Sequence, residues 1–296
     1  MLNAMSDSKY FKGYIGNVFR MKFFLIIISL FLNQELTKGD KQLNLNQYTL
    51  VKGPIVIEGV KANASGLTYS AKRDSLFVVL DQPQRVVEIT FDGSLKRKID
   101  LNKFQDTEGI AWVTEDIFAI AEEGKCNIVL TELEPGDGGV SWKKSKKLTL
   151  GIKVNPLNGI EGLAYDPIKK SFFVAREKGS AALFKVLIPP VGSKENPISI
   201  LMTVAGRGLK DISGLHYNSK KERLLILSHE SACVVEADKY GIEKSRLSLK
   251  GGQAGLKQTV IKAEGVSLDN RGTLYIVGEP NQLFVFEKKN NQQPFQ

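Results

Sequence analysis

Short apolar runs and runs of alternating apolar and polar residues follow one another along the chain from about residue 48, and they predict β-strands. Each run is rich in β-branched and aromatic residues and ends in turn-forming residues. The runs Leu76–Leu80 and Leu274–Val277 are examples, followed by polar or glycine-containing turns. After residue 40 the sequence has no helical periodicity of useful length. The pattern therefore predicts an all-β fold.

One short motif recurs five times and divides the strands into units. It consists of an acidic or hydroxyl residue, a glycine, an aliphatic residue and then an alternating run. The motifs begin at Ser65, Glu108, Glu161, Ser213 and Glu264, with spacings of 43, 53, 52 and 51 residues. Each unit holds four predicted strands, which is the pattern of a propeller blade. The repeats predict a five-bladed β-propeller with four antiparallel strands per blade.

The last unit contains only three strands and ends near Lys289. A strand from the start of the mature chain, Tyr48–Val51 or nearby, can supply the fourth strand. This closure would remove an open sheet edge that otherwise invites aggregation. We therefore expect a single propeller over residues 40–290, closed by an N-terminal strand, followed by a polar tail over 291–296.

A separate apolar segment lies near the amino terminus. Residues 23–32 are apolar or small, follow Lys22 and precede polar residues. As a helix they would rise only about 15 Å, half of a hydrocarbon core, which favours the h-region of a secretory signal. We expect residues 1–39 to be a basic leader with a signal peptide or a signal anchor. Cleavage and the choice of Met1 or Met21 as the start remain open.

This segment predicts an exported protein, either periplasmic or anchored in the inner membrane and facing the periplasm. It also accounts for part of the charge. The chain has 41 Lys and Arg against 32 Asp and Glu, a net charge of +9, and residues 1–38 contribute +3 of it. The densest remaining basic cluster is Lys143–Lys147, on a predicted outer hairpin with Trp142. One short cluster with little aromatic interleaving does not predict a nucleic-acid partner.

The two cysteines change little. Cys126 and Cys233 occupy equivalent places in blades two and four, which are not neighbours, so no disulfide is expected. No Cys/His spacing suits zinc. Ser65 and Ser213 lack the Gly-x-Ser-x-Gly context of a hydrolase nucleophile, and His216 is expected to be a packed channel residue.

Carboxylates are predicted to gather at one mouth of the central channel. In an antiparallel blade, the start of the inner strand and the end of the second strand lie on the same face. The first column holds Glu108, Glu161 and Glu264. The second column holds Asp81, Glu122, Glu177, Glu230 and Glu279, with His229 beside it.

Such crowding has to be relieved. Two like charges about 4 Å apart repel by about 1 kcal/mol in water and about 4 kcal/mol at a protein surface. Carboxylate ligands without cysteine suit a hard cation, and a ring of separate blades suits Ca²⁺ better than Mg²⁺. The alternative is that each motif glutamate bonds backbone N–H groups of the next blade and closes the ring without metal.

The five motifs together resemble the SdiA-regulated family (the YjiK/CarP family) over nearly the whole mature chain. The residues that carry the resemblance are Asn63–Thr68, Asp106–Ile110, Ile160–Ala164, Ile212–Leu215 and Ala263–Val266. The resemblance implies a five-bladed propeller with bound calcium, exported or anchored in the inner membrane, and linked to calcium response. It assigns the calcium site to Glu108, Glu161 and Glu264, with Glu122, Glu177 and Glu279 as further candidates.

We accordingly expect a monomeric, non-catalytic calcium-binding propeller that takes part in calcium response or binds an unknown protein or small molecule. The Glu-Gly-aliphatic motif also occurs in phytase-like esterase propellers. The alternative is therefore a calcium-dependent phosphoesterase or esterase, for which His229 and Glu230 are the candidate bases. A protein-interaction platform without metal is the third hypothesis.

Overall fold

The strands of this chain are seen in a computed structural model that describes residues 42–136, 138–150, 159–176, 182–188, 198–203 and 208–289. These residues form 21 strands and two short 3₁₀ helices, Leu45–Gln47 and Trp142–Lys144, with no α-helix among them. The predicted leader 1–39, its apolar segment 23–32 and the tail 291–296 lie outside the described residues, as does Glu177.

Four blades are built from strands in chain order, except that one short strand within the blade-two segment pairs elsewhere. In each blade the first strand is the innermost. Blade one is β2 (Ala64–Ser70), β3 (Ser75–Leu80), β4 (Arg85–Ile89) and β5 (Leu95–Asn102). Blade two is β6 (Thr107–Thr114), β7 (Ile117–Glu122), β8 (Asn127–Glu132) and β10 (Lys146–Thr149). Blade three is β11 (Ile160–Asp166), β12 (Ser171–Arg176), β13 (Ala182–Leu187) and β14 (Ile198–Thr203). Blade four is β15 (Gly214–Asn218), β16 (Arg223–Ser228), β17 (Cys233–Asp238) and β18 (Glu243–Ser248).

The fifth blade joins the two ends of the described chain. It contains β19 (Ala263–Leu268), β20 (Leu274–Gly278), β21 (Gln282–Lys288) and, as its outermost strand, β1 (Tyr48–Val56). β1 runs antiparallel to β21, with Tyr48 opposite Lys288 and Val56 opposite Gln282. The predicted five-bladed propeller, closed by an N-terminal strand, is confirmed.

The segment between β8 and β10 departs from the predicted outer hairpin. Its short strand β9 (Val140–Ser141) pairs in parallel with β5 of blade one, with Leu101 opposite Val140. The segment is held in place by Trp142, whose indole N–H donates to the carboxylate of Glu122, 2.9 Å away. The connection therefore ties the outer edges of blades one and two together.

The motif glycines sit where neighbouring inner strands approach most closely. A Cβ atom added to Gly109 would lie 2.4 Å from the carbonyl oxygen of Glu161, and one added to Gly66 would lie 2.6 Å from that of Glu108. Gly214 and Gly265 meet the backbone of the next inner strand in the same way, at 2.8 and 2.6 Å. Only glycine permits this spacing, because a methyl group would have to displace rigid backbone atoms.

Five hydrophobic clusters fill the spaces between the blades, one at each junction around the ring. Phe77 of blade one and Phe118 of blade two are fully buried and pack with ring centroids 4.5 Å apart. Phe173 and Tyr217 form the corresponding pair between blades three and four, at 4.8 Å. Burial of apolar surface between blades is therefore the main stabilising contribution.

The residues before β1 are held by blade four. The buried carboxylate of Glu236 accepts hydrogen bonds from the backbone N–H groups of Leu43, at 2.7 Å, and Asn44, at 3.0 Å. Its Oε1 lies 3.2 Å from Nε of Arg223, and Leu45 is fully buried beside it. This contact, called the Glu236 latch below, fixes the chain before it enters the fifth blade.

Gly109→Ala should destabilise the propeller strongly, because the new methyl group meets a backbone carbonyl of the next blade. We expect a loss of about 2 kcal/mol in the free energy of unfolding, measured by denaturant titration. The matched control is Gly138→Ala, where an added Cβ meets nothing within 4 Å. The control should change stability by no more than about 0.5 kcal/mol. Equal effects of the two substitutions would contradict the close-approach explanation.

Candidate metal centre at the axial mouth

Three of the predicted ligands line one narrow cavity between the inner strands. Glu108, Glu161 and Glu264 surround it together with Ser213, and the cavity volume is about 10 Å³. That is room for about one water molecule, so the motif residues of different blades crowd a very small space.

A tighter group of carboxylates lies at the junction of blades one and two. Asp81, Asp106 and Glu108 each offer one oxygen atom, and these atoms all lie within 4.8 Å of one another. Asp81 comes directly after β3, whereas Asp106 and Glu108 stand at the start of β6. We call this group the Asp81–Asp106–Glu108 triad. It joins one member of each predicted column to Asp106, which the sequence pattern did not single out.

A hydrogen-bonded contact that recurs in several blades explains why Asp106 lies here. In blades one, two, four and five, the side chain two positions before the motif bonds the turn that follows the second strand of its own blade. Asn63 donates to the carbonyl of Gln82 at 3.1 Å, and Asp106 accepts from the N–H of Gly124 at 3.1 Å. Asn63 (φ 62°) and Asp106 (φ 55°) have a left-handed backbone conformation, which places their side chains against this turn. Among residues other than glycine, Asn and Asp adopt this conformation most readily.

The triad is electrostatically crowded. Burial, followed by the charge of Asp81, raises the pKa of Glu108 to about 8, against a weaker opposing hydrogen bond from Ser65. Burial and the charge of Asp106 also raise the pKa of Asp81. Without a cation, the triad therefore holds a proton on Glu108 at neutral pH.

Glu122 has a different environment. Its side chain is fully buried, and its oxygens accept hydrogen bonds from the N–H of Gln105 at 3.0 Å, the amide of Asn127 at 3.2 Å and the indole of Trp142 at 2.9 Å. These protein donors give Glu122 a structural role in holding the β9 connection.

The remaining second-column residues have separate surroundings. Glu279 forms an ion pair with Lys262, with 2.9 Å between Oε2 and Nζ. Glu177 lies outside the described residues, so its assignment remains a prediction. In the first column, Glu264 Oε1 lies 3.8 Å from Nδ1 of His229.

A histidine–aspartate pair stands in blade four near the same mouth. Nδ1 of His229 lies 2.9 Å from Oδ2 of Asp211, which is fully buried and also accepts hydrogen bonds from the Ser228 hydroxyl and the N–H of Glu230. The nearby carboxylate of Asp211 raises the pKa of His229 against the opposing effect of burial. The pair therefore favours the protonated form of His229.

The triad suits a hard cation. It offers oxygen atoms only, from three carboxylates on two blades, and calcium takes six to eight such oxygens. A divalent cation would also favour the deprotonated form of Glu108, because metal ligands bind in their deprotonated form. The donors and their charge thus fit calcium, with Glu108 giving up its proton.

Comparison with known proteins gives one family match. A family model described as SdiA-regulated matches residues 40–287. Among the described residues, no helix is long and apolar enough to cross a membrane.

Solved structures share the fold at low sequence identity. A glutaminyl cyclase from Myxococcus xanthus aligns with a TM-score of 0.55 and 11% identity, covering 81% of this chain and 95% of that one. A structure of a nidogen/laminin complex aligns with a TM-score of 0.50 and 13% identity, covering 74% and 73%. Regucalcin from Agrobacterium tumefaciens, described as a calcium-binding protein, aligns with a TM-score of 0.48 and 11% identity, covering 79% and 92%. At these identities the structural matches concern the fold alone.

The stability of the metal-free chain should fall as pH rises from about 4.5 to about 8. The folded state keeps a proton on Glu108 that the unfolded chain releases above its ordinary pKa of 4.5, so this contribution is complete at low pH and lost through pH 8. Thermal melts with a chelator present should show the decline, and Glu108→Gln should reduce it. An identical pH dependence in the two proteins would contradict the raised pKa.

Proposed function

The chain belongs to the SdiA-regulated family, and from this we propose that it is a calcium-binding β-propeller of the cell envelope that acts as a non-catalytic sensor or binding scaffold. The observation that carries the proposal is the Asp81–Asp106–Glu108 triad, whose oxygen atoms lie within 4.8 Å of one another. Three carboxylates in so small a space are costly for the protein alone and favourable for a divalent cation.

The position of the triad suggests what calcium does. Asp81 belongs to blade one, and Asp106 and Glu108 belong to blade two. An ion held between them would cross-link neighbouring blades at the axis. Because calcium would bind the folded ring and not the unfolded chain, it would raise stability by mass action.

The family resemblance extends the site to Glu161 and Glu264, which line the adjoining cavity with Glu108. In this proposal they face the ion from blades three and five and either bind it or hold its water. Ligands from several blades would make the affinity sensitive to small movements of the ring. A sensor requires this coupling, because calcium binding must shift the protein from one conformation to another.

The cellular location is inferred from the sequence. The apolar segment 23–32 supports export, with the propeller in the periplasm or held at the inner membrane and facing the periplasm. Calcium modules outside the cytosol bind with Kd values of about 10⁻⁴–10⁻³ M. The proposed partner is a protein or small molecule that a monomeric propeller recognises, not a nucleic acid.

Calcium should stabilise the purified full chain, with a gain of about 2.7 kcal/mol at 100 times the Kd. Titration calorimetry and thermal melts with calcium or chelator measure the effect. Glu108→Gln and Asp106→Asn should remove most of the gain. Because Glu108 is protonated in the metal-free protein near neutral pH, Glu108→Gln should leave the chelator-treated protein nearly as stable as the unsubstituted chain.

The control variant is Glu132→Gln, which changes an exposed carboxylate of β8 and should keep the full calcium effect. The proposal would be contradicted if calcium addition gave no heat of binding and no shift in the melting temperature. If calcium stabilised all three variants equally, the ion would bind elsewhere.

A second function, a calcium-dependent phosphoesterase or esterase, is favoured by one observation, the Asp211–His229 pair with its 2.9 Å contact. An aspartate that orients a histidine is a common arrangement for general acid–base catalysis. Calcium could polarise a phosphate or ester while His229 moves a proton.

We expect no turnover of p-nitrophenyl acetate or p-nitrophenyl phosphate above the buffer rate, with calcium present. Release of p-nitrophenol followed by absorbance measures this. Turnover that requires calcium and falls by about 10²–10⁴-fold in His229→Gln would replace the non-catalytic proposal with the enzymatic one.

A further inference from the structure

The end of the channel opposite the carboxylates carries a second pocket. The inner strands begin at the motif glutamates and serines, and their fifth motif positions lie near the other mouth. Four of these positions are aromatic, from four different blades: Tyr69, Trp112, Tyr165 and Tyr217. All four are partly exposed and line one pocket of about 150 Å³.

The size of this pocket limits its ligand. A cavity of about 150 Å³ holds one six-membered ring, as benzene shows in an engineered cavity of that volume. Several aromatic faces around one opening suit a flat or chair-shaped ring that has apolar faces. The pocket is thus large enough for one ring and too small for an extended chain.

Polar groups that lack protein partners also line the pocket. Within the part of the chain that the structure describes, the hydroxyls of Tyr165 and Tyr217 and the amide of Asn270 form no hydrogen bonds. A ligand with hydroxyl groups around its edge would satisfy them.

His216 offers a further donor to the pocket. The Ser267 hydroxyl accepts from the N–H of Tyr69 at 2.9 Å and lies 3.4 Å from Nδ1 of His216. The hydroxyl hydrogen is therefore free to point at Nδ1, and in that arrangement Nε2 carries the hydrogen of the neutral ring. Burial lowers the pKa of His216 to about 4, so the ring is neutral at physiological pH.

The acidic side chains at and beside the pocket already have hydrogen-bonding or charged partners. Asp269 is fully occupied by Arg271, 2.8 Å away, and by the N–H groups of its own turn. Asp166 accepts from the N–H groups of Ile168 and Lys169. Lys220 stands exposed at the rim and would repel a cation. The lining therefore suits a neutral ligand better than a positively charged one.

We propose that the aromatic mouth formed by Tyr69, Trp112, Tyr165 and Tyr217 is a binding site for a neutral sugar ring of monosaccharide size. The aromatic side chains would pack against the apolar C–H faces of the ring. Asn270, His216 and the hydroxyls of Tyr165 and Tyr217 would bond its hydroxyl groups. This site is separate from the calcium proposal and does not depend on it.

The chain offers a built-in reporter for the test. It has two tryptophans, and Trp142 lies elsewhere, against Glu122. In the full chain with Trp142→Phe, the fluorescence therefore comes from Trp112 in the pocket. The probes are methyl β-D-glucopyranoside, methyl β-D-galactopyranoside and methyl α-D-mannopyranoside, with tetramethylammonium chloride and phenol as the cationic and aromatic comparisons.

At least one glycoside should change the Trp112 emission saturably, with a Kd of about 1–10 mM. Asn270→Ala and Tyr217→Ala should weaken binding about tenfold, which corresponds to about 1.4 kcal/mol. The control Tyr240→Ala removes a tyrosine that is 64% exposed and does not line the pocket, and it should have no effect.

Calorimetry with the same glycosides measures binding to the unsubstituted chain, in which Trp142 is retained. Absence of saturable binding to any glycoside up to about 100 mM would overturn the proposal. A response to tetramethylammonium or phenol alone would overturn it as well, in favour of a cation or an apolar aromatic ring. Glycoside binding that survives both pocket substitutions would place the sugar elsewhere and also overturn it.

Discussion

The close approach of the five inner strands is the constraint on which the rest of this propeller depends. In four of the five motifs the glycine lets one strand lie against the backbone of the next, with no room for a methyl group at Gly109 or Gly66. The same spacing brings the residues just before the glycines together, so Glu108, Glu161 and Glu264 share one small cavity. The close approach of the inner strands also sets the width of the space between blades, which Phe77 and other large side chains fill. Packing and charge are therefore two results of one geometric requirement.

The fold was predictable because it is encoded locally and repeatedly. Five motifs at near-constant spacing define the blades, and a missing strand at one terminus implies closure by the other. The triad was only half predictable, because Asp106 depends on a left-handed backbone and on a turn 18 residues away. The hydrogen-bond partners of Glu122 could not be predicted from the sequence for a similar reason. Its partner Trp142 reaches it through a connection that crosses to blade one, and no repeat pattern encodes that contact.

The two mouths of the channel differ in chemistry although the same five strands form both. At one end three carboxylates lie within 4.8 Å of one another, and at the other end aromatic residues line a pocket together with a neutral histidine. The inner strands are joined laterally by side chains near the aromatic end. Ser267 bonds the N–H of Tyr69, and Thr68 accepts from the N–H of Trp112. The inner strands that connect the two mouths are therefore also bonded to one another across the blade junctions.

The Glu236 latch gives the propeller a mechanical property. The chain enters through Leu43 and Asn44, which are bonded to a buried carboxylate of blade four before β1 reaches blade five. A pull applied at residue 42 would load these hydrogen bonds and the buried Leu45 first. The ladder between β1 and β21, which keeps the ring closed, would bear force only after the latch had failed. The propeller can therefore be tethered by its N-terminal side without its closure acting as the anchor point.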